Sequence, residues 1–245
     1  MTGAIDYDRI ARDYARDRDA SPRVIAAILG GLGDRPAHDI LEVGCGPADH
    51  LHVLAEALGA AGCGFDRSAA MLEEAARKNP GLLLSQGDAA VSYPYPDDRF
   101  DLVFSVNVIH YVADLGRHFA EALRVTRPGG TVVTVTDSWD DIRRRTMTEY
   151  FPETAAAEFQ RYQDTPAIER AMAGAGFAGI HLSHSEYRFD LTREYLEKCR
   201  QKAFSALRLI NEAAFTAGLA RLEGAVAAGT GQVRELYTYV WGRKP

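Results

Sequence analysis

The sequence is poor in cysteine. Its three, Cys45, Cys63 and Cys199, are odd in number and lack the close paired spacing of metal ligands. No disulfide framework and no bound metal are therefore expected, and reduced thiols in the cytoplasm are the natural reading. Long apolar runs are missing too. No stretch approaches the roughly 18 residues of a membrane helix, and the N-terminus has no basic region leading into an apolar one, so neither a membrane partner nor a secretion signal is expected. Long basic runs are also absent: 28 Lys and Arg stand against 34 Asp and Glu, for a net charge of -6. That balance argues against nucleic acid as a partner. What remains is 245 residues, 25% charged and 47% hydrophobic, ample for one globular domain over residues 1–245.

Apolar runs of strand length alternate with helical patterns, the signature of a parallel sheet covered by helices on both faces, hence an α/β fold. Strands are predicted at 39–43, 61–65, 82–85, 100–106 and 130–136. "RFDLVFSVNVIHYV" is the most continuous apolar run, as a central strand requires. Helices are predicted at 22–30, 47–58, 68–78, 114–125 and 165–175. "TRPGG", Thr126 to Gly130, reads as a helix stop and a turn into the fifth strand. Two later segments, "GIHLSHSEYRF" and "VRELYTYVWG", alternate like strands on one sheet edge. Between them Thr192 to Ala228 follows a helical period.

In "DILEVGCGPADH" two close glycines follow the first strand, where backbone can bend sharply and approach a ligand without a Cβ in the way. A dinucleotide fingerprint needs a third glycine at position 49, and Asp49 stands there. That absence counts against a nicotinamide or flavin dinucleotide, though a nicotinamide-dependent oxidoreductase on a similar sheet is the alternative enzyme reading. Pro47 suits the first turn of the next helix. Twenty residues after Gly46 comes Asp66, where a carboxylate can accept hydrogen bonds from both hydroxyls of a ribose.

Taken in order, "ILEVGCGPADHL", "GFDRSAAML", "QGDAA", "FDLVFSVNVIHYV" and "ALRVTRPGGTVV" resemble the successive motifs of class I S-adenosylmethionine-dependent methyltransferases. The layout is similar to small-molecule enzymes of the ubiquinone-biosynthesis and trans-aconitate type. The resemblance implies a Rossmann-like seven-stranded mixed sheet of order 3-2-1-4-5-7-6, the last strand antiparallel. It also implies an N-terminal helical cap over residues 1–30 and helical lid insertions at 138–164 and 192–228. The implied cofactor is S-adenosyl-L-methionine, with S-adenosyl-L-homocysteine as product. Glu42 would orient the loop or the methionine amino group, and Gly44, Cys45 and Gly46 would face the methionine backbone. Asp66 would bind the ribose, and Asp88 the adenine amino group. Ala89 would offer a backbone N–H to the ring, and Arg67 and Met71 would border the base. Ser105 lies where the family meets methionine through the main chain. Tyr14 and Arg18, on the N-terminal segment, are candidates for its carboxylate.

The sulfonium already makes the methyl group electrophilic, so dedicated acid–base machinery need not be visible. The expected reaction is in-line attack by a small-molecule acceptor, through oxygen or nitrogen in preference to carbon. A protein that binds the cofactor without catalysis is the non-enzyme alternative. His110, in "NVIHYV", is the candidate general base because an ordinary imidazole titrates near neutrality; packing under the lid is the alternative for it. Asn107 is similarly placed. Trp139, Arg143 and Tyr150, in the first insertion, are candidates for the acceptor pocket, while most of the run Arg143, Arg144 and Arg145 is expected to be a solvated face. The chain is expected to act as a monomer or homodimer.

Overall fold

The computed structural model describes residues 7–17 and 19–245; in the first helix the side chains of Tyr7, Ile10, Asp13, Tyr14 and Asp17 are not among those described. Two helices, α1 (Tyr7–Asp17) and α2 (Pro22–Leu32), precede the first strand, β1 (Asp39–Val43). Alternation then runs α3 (Asp49–Leu58), β2 (Ala61–Asp66), α4 (Ala69–Lys78), β3 (Leu83–Gln86), β4 (Phe100–Val106), α5 (Leu115–Val125) and β5 (Thr126–Thr136). Four helices follow: α6 (Trp139–Arg144), α7 (Thr146–Tyr150), α8 (Glu153–Phe159) and α9 (Thr165–Ala175). The chain closes with β6 (Ala178–Asp190), α10 (Arg193–Arg200), α11 (Glu212–Ala228) and β7 (Gln232–Arg243).

The sheet has seven strands in the order β3-β2-β1-β4-β5-β7-β6. Pairing is parallel from β3 through β5. Gly129 N donates to Lys244 O and Lys244 N to Gly130 O, so the far end of β7 returns to the start of β5 and the last strand is antiparallel. β6, at the edge, is mostly exposed and carries Glu186 and Arg188; such charges discourage pairing with another edge.

The chain divides into two compact units. One comprises residues 137–164 and 184–238; the other holds 165–183, 239–245 and the described residues before 137. On one side of the sheet the larger unit packs Leu41, Phe65, Val103 and Val132 against Phe119 of α5 and Ile168 and Met172 of α9. The smaller unit has its own core of Phe151, Leu196, Leu207, Phe215 and Leu222. Gly218 lets two of its helices close, because a Cβ there would sit 2.1 Å from the Phe151 ring. Among the described residues no helix is long and apolar enough to cross a membrane.

Local signals explain most boundaries. Ser21 caps α2 with Pro22 following, Ser68 caps α4 and Asp114 caps α5, each side chain accepting from an N–H of the first turn. Two expectations need correction. "TRPGG" is no turn ahead of the fifth strand: β5 begins at Thr126, and its register with β4 slips between Phe100 and Leu102. The proline and the left-handed Gly129 (φ 79°) fall in this irregular stretch, where a missing N–H costs the sheet little. Arg127 in the same stretch bridges Asp39 and Asp101, tying together the starts of β1 and β4. Pro47 does not open α3, which starts two residues later at Asp49.

Candidate active site

β1 ends at Val43, and the chain turns at once through Gly44 (φ 65°) and Gly46 (φ 51°), both left-handed. Side chains rarely adopt that conformation. A Cβ on Gly44 would also lie 2.6 Å from Val108 Cγ2, whereas around Gly46 there is open space. Ala48, left-handed as well, occupies the N-cap of α3 and offers no side-chain bond to the helix. Glu42 supplies it from the strand: Leu51 N donates to its Oε2 at 3.1 Å. Burial pushes the Glu42 carboxyl well above its ordinary range, opposed by the Leu51 bond and reinforced by Asp49 and Asp66.

Asp66, at the end of β2, locks the loop. One carboxylate oxygen accepts from Gly46 N and the other from Ser68 N, each at 2.9 Å. Burial raises its pKa despite those bonds. Asp88, beyond β3, accepts from Ala90 N at 2.8 Å, curling residues 88–92 into a tight turn. Together the glycine loop, the end of β2 and this turn border a cleft open to solvent.

Of the residues singled out from sequence, Gly44, Gly46, Asp66, Arg67, Met71, Asp88, Ala89 and Asn107 all line this cleft. Glu42, Cys45 and Ser105 do not: Glu42 and the Cys45 thiol are buried beneath the loop, and the Ser105 hydroxyl donates within the sheet to Thr134 at 3.3 Å. The cleft is met instead by Val106 and Asn107 at the strand end. Tyr111 also lines it, with the Arg67 guanidinium 5.9 Å from its ring centre. It was not singled out; its one signal was an aromatic just past the central strand. His110 is not a lining residue and packs its ring 4.1 Å from that of Tyr111. Arg18 and the side chain of Tyr14 lie outside the described residues.

Trp139, Arg143 and Tyr150 belong to the smaller unit. The Trp139 indole donates to Tyr162 O at 3.0 Å, Arg143 lies 5.0 Å over the Phe159 ring, and the Tyr150 carbonyl accepts from Arg221. Only part of the arginine run is a solvated face. Arg144 bridges Asp140 and Glu186 at the surface, but Arg145 is largely buried between Asp137 and Glu158.

His118, on α5, is 2% exposed, and burial lowers its pKa to about 4. In an unfolded chain the same imidazole titrates near 6.5. Between those two values the unfolded state binds the extra proton, so stability falls as pH drops from about 6.5 to about 4, by about 3 kcal/mol in total; above that window this group contributes no pH dependence. Denaturant titrations of His118→Phe at pH 7 and pH 4.5 should show a shallower acid loss than the parent, and equal losses would contradict this.

A family model described as a methyltransferase domain matches residues 41–134. An uncharacterised 37.1 kDa transposon protein of Streptomyces fradiae is 34% identical over 135 residues, 53% of this chain and 39% of that protein, so the chain spans well under half of that relative. A demethylmenaquinone methyltransferase of Streptomyces avermitilis is 31% identical over 174 residues, 70% of this chain and 70% of that one. The chain belongs to the class I S-adenosylmethionine-dependent methyltransferases. The fold of this methyltransferase is similar to that of a crystal structure from Anabaena variabilis ascribed to antibiotic biosynthesis, with a TM-score of 0.73 at 19% identity, covering 92% of this chain and 98% of that one. Membership displaces the oxidoreductase alternative and makes S-adenosylmethionine the cofactor. The cleft of the methyltransferase suits such a group. Open space lies in front of Gly46, and the acids Asp66 and Asp88 line the cleft.

Proposed function

We propose that this methyltransferase transfers the methyl group to an oxygen or nitrogen atom of a small molecule, with Asn107 holding the acceptor. The observation that carries the reading is the buried Asn107 Oδ1 at the cleft, which has no donor. Asn107 is held in a left-handed conformation (φ 56°) by its own N–H, bonded to Val135 O at 2.9 Å. On the neighbouring strand the fully buried Thr136 hydroxyl is likewise without a partner. A buried acceptor left unpaired costs about 1–3 kcal/mol, and an O–H or N–H on the incoming molecule relieves it, whereas a carbon nucleophile does not.

When bound, S-adenosylmethionine supplies an electrophilic methyl on its sulfonium. Asp66 would hold the ribose hydroxyls, Asp88 and Ala89 the adenine, and Gly44 and Gly46 would give the methionine end room. The chain's contribution is then mainly alignment and exclusion of water. His110 is the candidate for removing a proton where the acceptor carries one. The buried, disulfide-free Cys45, Cys63 and Cys199 suit a reducing compartment such as the cytoplasm.

Methyl-labelled cofactor, offered with a panel of hydroxyl, amine and carbon-acid small molecules, tests the reading. Label should settle on oxygen or nitrogen, and Asn107→Leu should raise the acceptor KM by about tenfold while cofactor affinity stays within a few-fold. Label on carbon, or an Asn107→Leu variant that loses cofactor instead, would overturn it.

A further inference from the structure

The row of α5 that faces the loop after β3 pins that loop at several points. Glu121 accepts from Tyr93 N at 2.9 Å, and Arg124 donates to the carbonyls of Tyr93 and Tyr95 and to Asp97. His118 stands one turn nearer the cleft. Its Nδ1 is 3.1 Å from the Ala89 carbonyl, and the Tyr93 hydroxyl lies 3.1 Å from Nδ1 and 3.4 Å from Nε2. Ala89 and its neighbours Asp88 and Ala90 line the cleft.

From this geometry we infer that His118 is a positioning residue: its neutral imidazole fixes the peptide between Ala89 and Ala90, whose N–H donates to Asp88 Oδ1, and so holds the carboxylate that would read the exocyclic amine of the cofactor's base. The inference rests on the reading that Asp88 and Ala89 hold the adenine. The Ala89 carbonyl accepts only, so the ring proton must sit on Nδ1. The Tyr93 hydroxyl, nearly equidistant from the two ring nitrogens, lies over the imidazole and packs it against the loop. With the proton on Nε2 instead, Nδ1 would confront the carbonyl with lone pair against lone pair. The ring is 2% exposed and its pKa is lowered to about 4, so it stays neutral at ordinary pH and the donor is permanent. Fixed orientation of a binding element by its supporting side chains is the general way a site is made rigid.

The test compares binding of S-adenosylmethionine with binding of an analogue whose purine lacks the exocyclic amine. His118→Phe should weaken S-adenosylmethionine by about tenfold and the analogue by no more than about twofold, with kcat at saturation unchanged within about twofold. His118→Gln, which keeps a side-chain donor, should recover most of the loss. Should the phenylalanine variant fail to fold, His118→Met, which also lacks a donor, supplies the second arm with the same expected loss. Equal weakening of both ligands, a fall in kcat with KM unchanged, or no change in a folded variant would overturn the inference. A parent protein that binds both ligands equally would reject the adenine reading itself, and the inference with it. A parent that discriminates, paired with a variant that does so equally well, would reject the role of His118 alone.

Discussion

Asp66→Ala is expected to raise the KM for S-adenosylmethionine by about 100-fold. Two losses combine. The carboxylate accepts from Gly46 N and Ser68 N, so it holds the left-handed glycine loop against the start of α4. Its remaining lone pairs face the cleft, where ribose hydroxyls would donate. Hydrogen bonds to a charged group are worth about 1.5–3 kcal/mol each, and about 2.7 kcal/mol is a factor of 100. Asp66→Asn keeps the shape but adds a donor and removes the charge, so it should fall between the parent and alanine. Steady-state kinetics with varied cofactor check the result. An unchanged KM, or a loss confined to kcat, would place the ribose elsewhere.

The largest effect on stability is expected at Arg145. Its guanidinium lies between Asp137 and Glu158, with side chains 15%, 12% and 2% exposed. Removing one partner of a buried ion pair leaves an uncompensated charge and typically costs about 3–5 kcal/mol. Arg145→Met should therefore lower the denaturant midpoint sharply. Arg145→Met combined with Glu158→Gln should regain part of the loss, because the stranded carboxylate is gone. Neighbouring Arg144, with exposed partners, should cost less than about 1 kcal/mol when truncated. Equal effects at the two positions would contradict the account of this cluster.

These two arginines mark where the sequence stops being legible. Three consecutive arginines on a helix point three ways, and the run alone does not say which way is inward. The break between α6 and α7 falls at Arg145, whose extended backbone (ψ 153°) directs the chain out of the first helix. That junction depends on tertiary packing. By contrast, the sheet order was legible, because continuous apolar runs such as β4 and the alternation of the late strands reflect burial on two faces or one. The glycine loop, Asp66 and Asp88 were legible for a related reason: strand ends in this fold bring fixed spacings to one edge.

Ser105 and Tyr111 show the limit of such spacing. A shift of one or two residues at a strand end decides which side chain turns into the sheet and which meets the cleft. Ser105 bonds Thr134, while Asn107 escapes the pleat only because it adopts a left-handed conformation. His118 was invisible for another reason. Its contact with Ala89 spans 29 residues, and nothing in "GRHFAEAL" distinguishes a buried donor from a surface imidazole.

Calorimetric titration of the purified, folded protein with S-adenosylmethionine, repeated on an Asp66→Ala, Asp88→Ala double variant, tests the central claim most directly. Saturable binding of one cofactor per chain by the parent, lost in a double variant that remains folded, is the result expected. No heat from the parent up to high micromolar cofactor, or full binding by the double variant, would contradict the assignment of this cleft to S-adenosylmethionine.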